Sequence, residues 1–288
     1  MTPPFVFQAD AGIVRDYYAH HPNFIIEYDE SRPREYCILY FSSHNIYNPN
    51  TPEAFEKDII KKNRFEWYGT RIQKGYKHIF IRDIIKQWYL TGISGQHPSP
   101  ATLLELLKKE TAGYRIIALG SSAGGYAAVV YGQLLNAEKI YSFNGQFQVN
   151  YLLQESKETT DPMIFRKQDD PVLRPYYDAR NFISHPASIY YFYSSKSDID
   201  VLQKNHIGDL GINIIKMRTS HHGIPFFKSN LPRLLNSDDR QLARMATRSY
   251  HPVFFSVKMI GVFNTARTMA DIIFSETRRR LKKYAGAS

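Results

Sequence analysis

The residues most able to do chemistry in this 288-residue chain lie in a short glycine-rich turn. The stretch 116–125 reads IIALGSSAGG, in which Gly120, Ser122 and Gly124 form the pattern G-x-S-x-G. An apolar, strand-like run precedes this turn, and the helix-forming run YAAVVY follows it. Small residues on either side of such a serine let a strand and a helix approach closely, and the turn then presents the serine hydroxyl. The pattern predicts a nucleophile at Ser122 and acyl-transfer chemistry.

A serine nucleophile needs a base that takes its proton and an acid that orients the base. In parallel-sheet enzymes of this kind the chain order is serine, acid, histidine. Here the strand-like run 188–193 is followed by Asp198 and Asp200. We expect Asp198 to be the acid, because it falls in the loop itself. Asp200 is expected in the first turn of the next helix, where a carboxylate compensates the helix dipole.

The base is expected in the pair His221-His222, which follows the next strand-like run, 213–217. We select His222, since Gly223 gives it the freer backbone, and expect His221 to be a neighbour or part of a pocket wall. A lone histidine in a loop is more often solvated or capping, and that alternative applies to both residues. The order of the three residue types and their positions after strand ends favour the catalytic interpretation.

Two backbone N–H groups are expected to stabilise the oxyanion of a tetrahedral intermediate. One is that of Ala123, the residue after the nucleophile. The other is expected from the loop after the strand-like run 36–41, where Ser43 or His44 would donate it.

The sequence lacks the motifs of metal sites and of nucleotide-binding sites. The histidines and Cys37 do not have zinc-ligand spacing, so no metal is expected. The glycines at 120–125 match neither a P-loop nor a dinucleotide-binding motif.

The elements that must position these residues alternate between strands and helices. Strand-like runs occupy 24–28, 36–41, 77–82, 114–119, 139–143, 188–193 and 213–217, with helices expected at 100–110, from the serine turn to about 135, at 199–205 and near 227–235. The first two runs are expected to form a hairpin across a polar, proline-containing connection. The rest predicts an α/β fold with a mostly parallel sheet, covered by helices on both faces, whose ligands bind at the carboxyl ends of the strands.

The chain is expected to divide into a catalytic domain, 1–237, and a basic helical extension, 238–288. Within the domain, the polar stretch 145–185 is expected to run over the sheet edge, either as a lid or as an elaboration that does not touch substrate. In the extension, apolar residues recur at helical spacing and 238–283 contains ten Lys/Arg. Such a helix can lie on an anionic membrane or dock a partner; we favour packing of its apolar face on the main domain.

The net charge of +10 and the pI near 9.4 favour acidic partners such as anionic polymers, phosphates or an anionic membrane leaflet. No nucleic-acid module accompanies the charge, so nucleic acid is not expected. The single cysteine, Cys37, cannot form an internal disulfide. With no signal-peptide pattern and no apolar run of about 18 residues, a cytoplasmic location is expected, with peripheral contact at the inner membrane open.

With these residues in hand, the chain over 24–235 resembles the α/β-hydrolase superfamily. Within it, LGSSAGG at 119–125, SKSD at 195–198 and His221-His222 are similar to motifs of bacterial capsular-polysaccharide O-acetyltransferases. The resemblance implies a cytoplasmic enzyme that takes acetyl from acetyl-CoA onto Ser122 and passes it to a sugar hydroxyl. The basic extension lies outside this pattern.

Two alternatives stay open. An esterase or deacetylase would form the same acyl-enzyme and pass the acyl group to water. A non-catalytic scaffold of a polysaccharide-assembly or secretion complex would explain the basic tail and the irregular stretch 145–185, but not the ordered serine, acid and histidine. Excess positive charge suits the phosphates of CoA and an anionic polysaccharide acceptor, so we place the O-acetyltransferase first.

Overall fold

The computed structural model describes residues 3–285 and is built around an eight-stranded sheet. The strands are β1 (Phe24–Tyr28), β2 (Tyr36–Phe41), β3 (Lys77–Ile81), β4 (Arg115–Ser121), β5 (Lys139–Phe143), β6 (Ile189–Ser194), β7 (Asn213–Met217) and β8 (Ser249–Tyr250). Their spatial order is β1-β3-β2-β4-β5-β6-β7-β8. β1 runs antiparallel to β3, and the other neighbouring pairs are parallel. The predicted α/β class and mostly parallel sheet are confirmed.

The helices flank the sheet and connect its strands. They are α1 (Phe7–Asp10), α2 (Gly12–His20), α3 (Pro52–Phe55), α4 (Pro100–Thr111), α5 (Ala123–Leu134), α6 (Leu152–Glu155), α7 (Pro162–Arg166), α8 (Asp198–Ile207), α9 (Leu231–Leu235), α10 (Asp239–Ala246) and α11 (Pro252–Ala285). A π-helical segment, Glu56–Lys61, continues α3, and short 3₁₀ turns occur at His44–Ile46, Arg174–Tyr177, Ala179–Phe182, Pro186–Ser188 and Lys228–Asn230.

The expected hairpin between the first two strands is wrong. β1 pairs with β3, with Phe24 opposite Ile81, and β3 lies between β1 and β2. The physical reason is burial. All six residues of β2 are buried, so β2 takes a neighbour on each side, whereas β1 is only partly buried and lies at the sheet edge.

The apolar core lies on both faces of the sheet. Leu39 and Ala118 pack on one face, and their strand neighbours Tyr40 and Leu119 pack on the other. α5 covers the first face and is buried at every position from Ala123 to Gln133. A helix enclosed in this way is apolar all round, which explains the run of small and apolar residues after the serine turn.

The stretch 145–185 forms short helices and turns that are tied to the N-terminal segment. The guanidinium of Arg166 pairs with the carboxylate of Asp10 and holds the pKa of that carboxyl at about 2. The side-chain amide of Gln8 donates to the carbonyl of Thr160, and the N–H of Met163 donates to Gln87. Whether this stretch moves as a lid stays a prediction.

The C-terminal helix α11 buries large apolar side chains in the domain only along its first part. Phe255 and Met259 are buried in the core, and a kink follows at Gly261, where φ is 82°. From Val262 onward large apolar side chains are exposed. The expected packing of the apolar side chains on the main domain is therefore found along the first two turns, whereas beyond the kink the large apolar side chains face solvent. No helix in the described part of the chain combines the length and apolar character needed to cross a membrane.

Candidate active site

Ser122 lies in the turn between β4 and α5 with a strained backbone, φ 53° and ψ −121°. Its N–H donates to the carbonyl of Phe143 at 2.9 Å, which fixes this conformation. A Cβ on Gly120 would lie 2.1 Å from the carbonyl oxygen of Gly124, and a Cβ on Gly124 would lie 2.3 Å from that of Phe41. Neither position has room for a side chain, so both glycines are required for the serine to occupy this turn.

His222 joins Ser122 to a buried carboxylate. The Nε2 atom of His222 lies 2.9 Å from the Oγ of Ser122, and its Nδ1 atom lies 2.8 Å from an oxygen of Asp200. The three residues follow β4, β6 and β7, at the carboxyl ends of the strands and in the order serine, acid, histidine. The chain has the α/β-hydrolase fold. Asp200 is fully buried, and a bond from Nδ1–H to it leaves Nε2 free to accept the serine proton.

The structure corrects the expected acid, because Asp200 and not Asp198 contacts His222. α8 begins at Asp198, one residue earlier than expected, and this carboxylate is exposed in the first helical turn. Asp200 shares the buried face of α8 with Gln203 and Ile207, at spacings of three and four residues. That spacing is the sequence signal that distinguishes the two carboxylates.

A buried asparagine that sequence reasoning missed holds the histidine loop. The side-chain amide of Asn144 donates to the carbonyls of His221 and Gly223, at 3.2 and 3.0 Å, and to the hydroxyl of Ser194. Its Oδ1 atom accepts the N–H of Ser194 at 2.7 Å. The loop is thereby fixed on both sides of His222. The signal in the sequence is a polar residue placed directly after the buried strand β5.

Gln146 is a second residue near Ser122 that sequence reasoning did not identify. Its Oε1 atom accepts from the indole N–H of Trp88 at 2.8 Å and lies 3.5 Å from the Oγ of Ser122. Its Nε2 atom donates to the hydroxyl of Tyr151 at 3.0 Å. The stretch 145–185 thus contacts the site through Gln146, beside Ser122.

Of the two predicted oxyanion donors, the N–H of Ala123 is available and the N–H of Ser43 is bonded to another residue. Ala123 is the first residue of α5, where helix geometry provides no intrahelical acceptor for its N–H. The N–H of Ser43 instead donates to Glu66 at 2.6 Å, and its hydroxyl donates to the same carboxylate at 2.9 Å. The prediction that Ser43 donates to the oxyanion is therefore wrong, because its N–H is already bonded to Glu66. The backbone N–H of His44, the other candidate in this loop, is the second donor that we expect. Desolvation lowers the pKa of the His44 imidazole to about 3, so this ring is neutral near pH 7.

A cavity of about 760 Å³ opens beside Ser122. Its wall is built from the loop after β2, from 64–70, from the histidine loop and from Lys228 and Leu231. His221 lines this cavity, as expected of a neighbour. Arg64, Lys228 and Glu66 are the charged residues of a lining that is both polar and aromatic. The volume lies within the range of sites for small organic ligands.

No family model matches the chain, and no curated protein matches it. Among solved structures, the capsule O-acetyltransferase of Neisseria meningitidis serogroup A is 13% identical over 68% of this chain and 82% of that one, with a TM-score of 0.46. A variant of the same enzyme in complex with CoA matches at 14% identity over the same shares of both chains, with a TM-score of 0.41. An S-formylglutathione hydrolase from Agrobacterium tumefaciens is 13% identical over 77% of this chain and 89% of that one, with a TM-score of 0.44.

The glycine contacts generate a stability prediction. Gly124→Ala places a Cβ against the carbonyl of Phe41, and we expect a loss of about 2 kcal/mol or more of unfolding free energy. Gly12→Ala is the matched control, because Gly12 also lies at a helix N-terminus but a Cβ there meets nothing within 4 Å. Urea unfolding of both variants measures the difference. Equal stability of the two variants would contradict the close approach of α5 to β2.

The two carboxylates at the start of α8 generate a second prediction. Asp200→Asn leaves His222 without a charged partner and should lower kcat for hydrolysis of p-nitrophenyl acetate by about 10³–10⁴-fold. Asp198→Asn removes an exposed carboxylate from the same helix and should change kcat by less than about twofold. A severe loss in Asp198→Asn together with a mild one in Asp200→Asn would refute the observed pairing as the functional one.

Proposed function

We propose that this chain is a serine acyltransferase that O-acetylates a bacterial surface polysaccharide, with acetyl-CoA as the acetyl donor. The observation that supports it best is the row of hydrogen bonds from Ser122 through His222 to the fully buried Asp200. Ser122 lies in a turn that holds it in a strained conformation beside the cavity. In the proposal, Ser122 is the nucleophile, His222 the general base and Asp200 the residue that orients it.

The first half of the reaction forms an acetyl-enzyme. The Oγ of Ser122 attacks the thioester carbonyl of acetyl-CoA while the Nε2 of His222 takes the hydroxyl proton. The negative charge of the tetrahedral intermediate develops beside the N–H of Ala123, and a second donor is expected from His44. The C–S bond then breaks, and His222 returns the proton to the departing CoA sulfur.

The second half transfers the acetyl group to an acceptor hydroxyl. The hydroxyl oxygen attacks the ester carbonyl of acetyl-Ser122, and His222 takes the hydroxyl proton. Collapse of the second tetrahedral intermediate releases the acetylated acceptor and returns the proton to Ser122. An esterase follows the same steps with water as the acceptor, so the two activities differ in what the cavity admits next to Ser122.

The cavity beside Ser122 has two cationic side chains and one carboxylate, that of Glu66, in its lining. Arg64 and Lys228 line it and are suited to the phosphates of CoA or to an acidic sugar polymer. A simple ester substrate gains little from these groups. A transferase that uses acetyl-CoA works where this donor is made, so we place the protein in the cytoplasm.

A fluorophosphonate probe tests the nucleophile. Wild-type protein should be labelled because the activated hydroxyl of Ser122 attacks phosphorus, and Ser122→Ala should not be labelled. Ser121→Ala is the matched control, since it removes the adjacent hydroxyl and should keep its labelling. Native wild-type protein that resists the probe would favour the scaffold alternative.

Radiolabelled acetyl-CoA then separates transfer from hydrolysis. The expected result is acetyl label on Ser122 that moves to an added capsular oligosaccharide. Release of the label as acetate at the same rate with and without oligosaccharide would establish a hydrolase. Absence of acetyl-enzyme in a protein that reacts with the fluorophosphonate would exclude acetyl-CoA as the donor.

A further inference from the structure

Beyond its kink, α11 presents an apolar stripe to solvent. The stripe consists of Val262, Phe263, Ile273 and Phe274, whose exposed fractions are 70%, 79%, 64% and 73%. The two pairs are eleven residues apart, close to three helical turns, so they lie on the same face of the helix. Single exposed apolar side chains are ordinary on protein surfaces, but a row of four large ones on one helix face marks an interaction site.

Basic residues repeat with the stripe. Arg267 and Arg278 are also eleven residues apart, and each follows a phenylalanine of the stripe by four positions, so the two side chains adjoin on the helix surface. The segment 252–288 contains seven Lys/Arg and two Asp/Glu, which is half of the net charge of the chain. Arginine can lay its aliphatic stem along an apolar surface while its guanidinium stays in a polar layer.

The opposite face of the helix is fixed to the domain. Thr265 is buried, and the hydroxyl of Thr268 donates to that of Ser229 at 3.1 Å. Before the kink, the buried side chain of Asn230 donates to the hydroxyl of Ser256 at 2.6 Å. These contacts determine which face of α11 points away from the protein, so the apolar stripe is a fixed surface feature.

We propose that the apolar stripe lies in the interface of an anionic membrane, with α11 parallel to the surface. The stripe would enter the boundary between headgroups and acyl chains, and Arg267 and Arg278 would lie among the anionic headgroups. A second copy of the chain fits the stripe less well, because it would bring two positively charged segments together. Since Lys228 lines the cavity and Ser229 contacts α11, a docked helix holds the cavity near the bilayer.

Vesicle flotation of the full chain tests this assignment. Wild type should float with vesicles of phosphatidylcholine and phosphatidylglycerol, and should do so less in 0.5 M salt or with pure phosphatidylcholine. The double variant F263D/F274D should bind the anionic vesicles at least about tenfold more weakly, since two apolar anchors are lost. F5D/V172D is the matched control, because Phe5 and Val172 are 70% and 66% exposed but lie outside α11, and it should bind like wild type.

Measurements of stability, of the S122A variant and of self-association complete the test. The F263D/F274D variant should keep the wild-type melting temperature, since both side chains are solvent-exposed, and S122A should float like wild type because the stripe acts independently of the nucleophile. Wild type that stays with the unbound fraction on anionic vesicles overturns the proposal. So does wild-type self-association in lipid-free buffer that F263D/F274D abolishes, which would assign the stripe to a second copy of the chain.

Discussion

The backbone contact between the first turn of α5 and the end of β2 is the constraint on which the site depends. Gly124 approaches the carbonyl of Phe41 so closely that any side chain would collide with it. This approach holds Ser122 in a strained conformation, which costs on the order of 1–3 kcal/mol and persists because the surrounding structure enforces it. The burial of α5 from Ala123 to Gln133 prevents the helix from moving away and relieving the strain. The same contact brings the loop after β2 beside Ser122, so this serine and His44, the second expected oxyanion donor, are positioned together.

The histidine is positioned at a cost in stability. Asp200 is fully buried, one of its oxygens contacts His222, and the other has no hydrogen-bond partner among the described residues. An unsatisfied buried polar atom typically costs about 1–3 kcal/mol. The bond between Asp200 and Nδ1 orients the ring of His222, and Asn144 fixes the loop on both sides of that residue. Such departures from ordinary packing rules are expected at functional sites.

The sequence predicts β2 to β7 to within one or two residues, because each is an apolar run bounded by polar or small residues, but it misses the two-residue strand β8. The serine turn is equally predictable, since glycine is needed where backbones touch. The errors have specific physical causes. β1 pairs with β3 because of how the whole sheet is buried, and a local sequence pattern contains no information about that burial. Asp198 and Asp200 are two residues apart on α8, so their side chains point about 200° apart around the helix, and Asp200 is the one on the buried face. Ser43 is engaged by Glu66, a residue 23 positions away whose approach depends on how the long connection 42–76 folds.

One short turn connects the cavity to the basic helix α11. Lys228 lines the cavity, while its neighbours Ser229 and Asn230 bond to α11. The cavity wall and the helix are therefore parts of one packed unit, and the orientation of the apolar stripe is fixed relative to Ser122. A protein that only hydrolysed small soluble esters would gain nothing from this coupling. An enzyme that acetylates a polymer growing at a membrane would gain proximity to its acceptor, because anchoring raises the local concentration of hydroxyl groups near the acetyl-serine. The two proposals rest on different residues, and the turn at Lys228–Asn230 is the physical reason that they support each other.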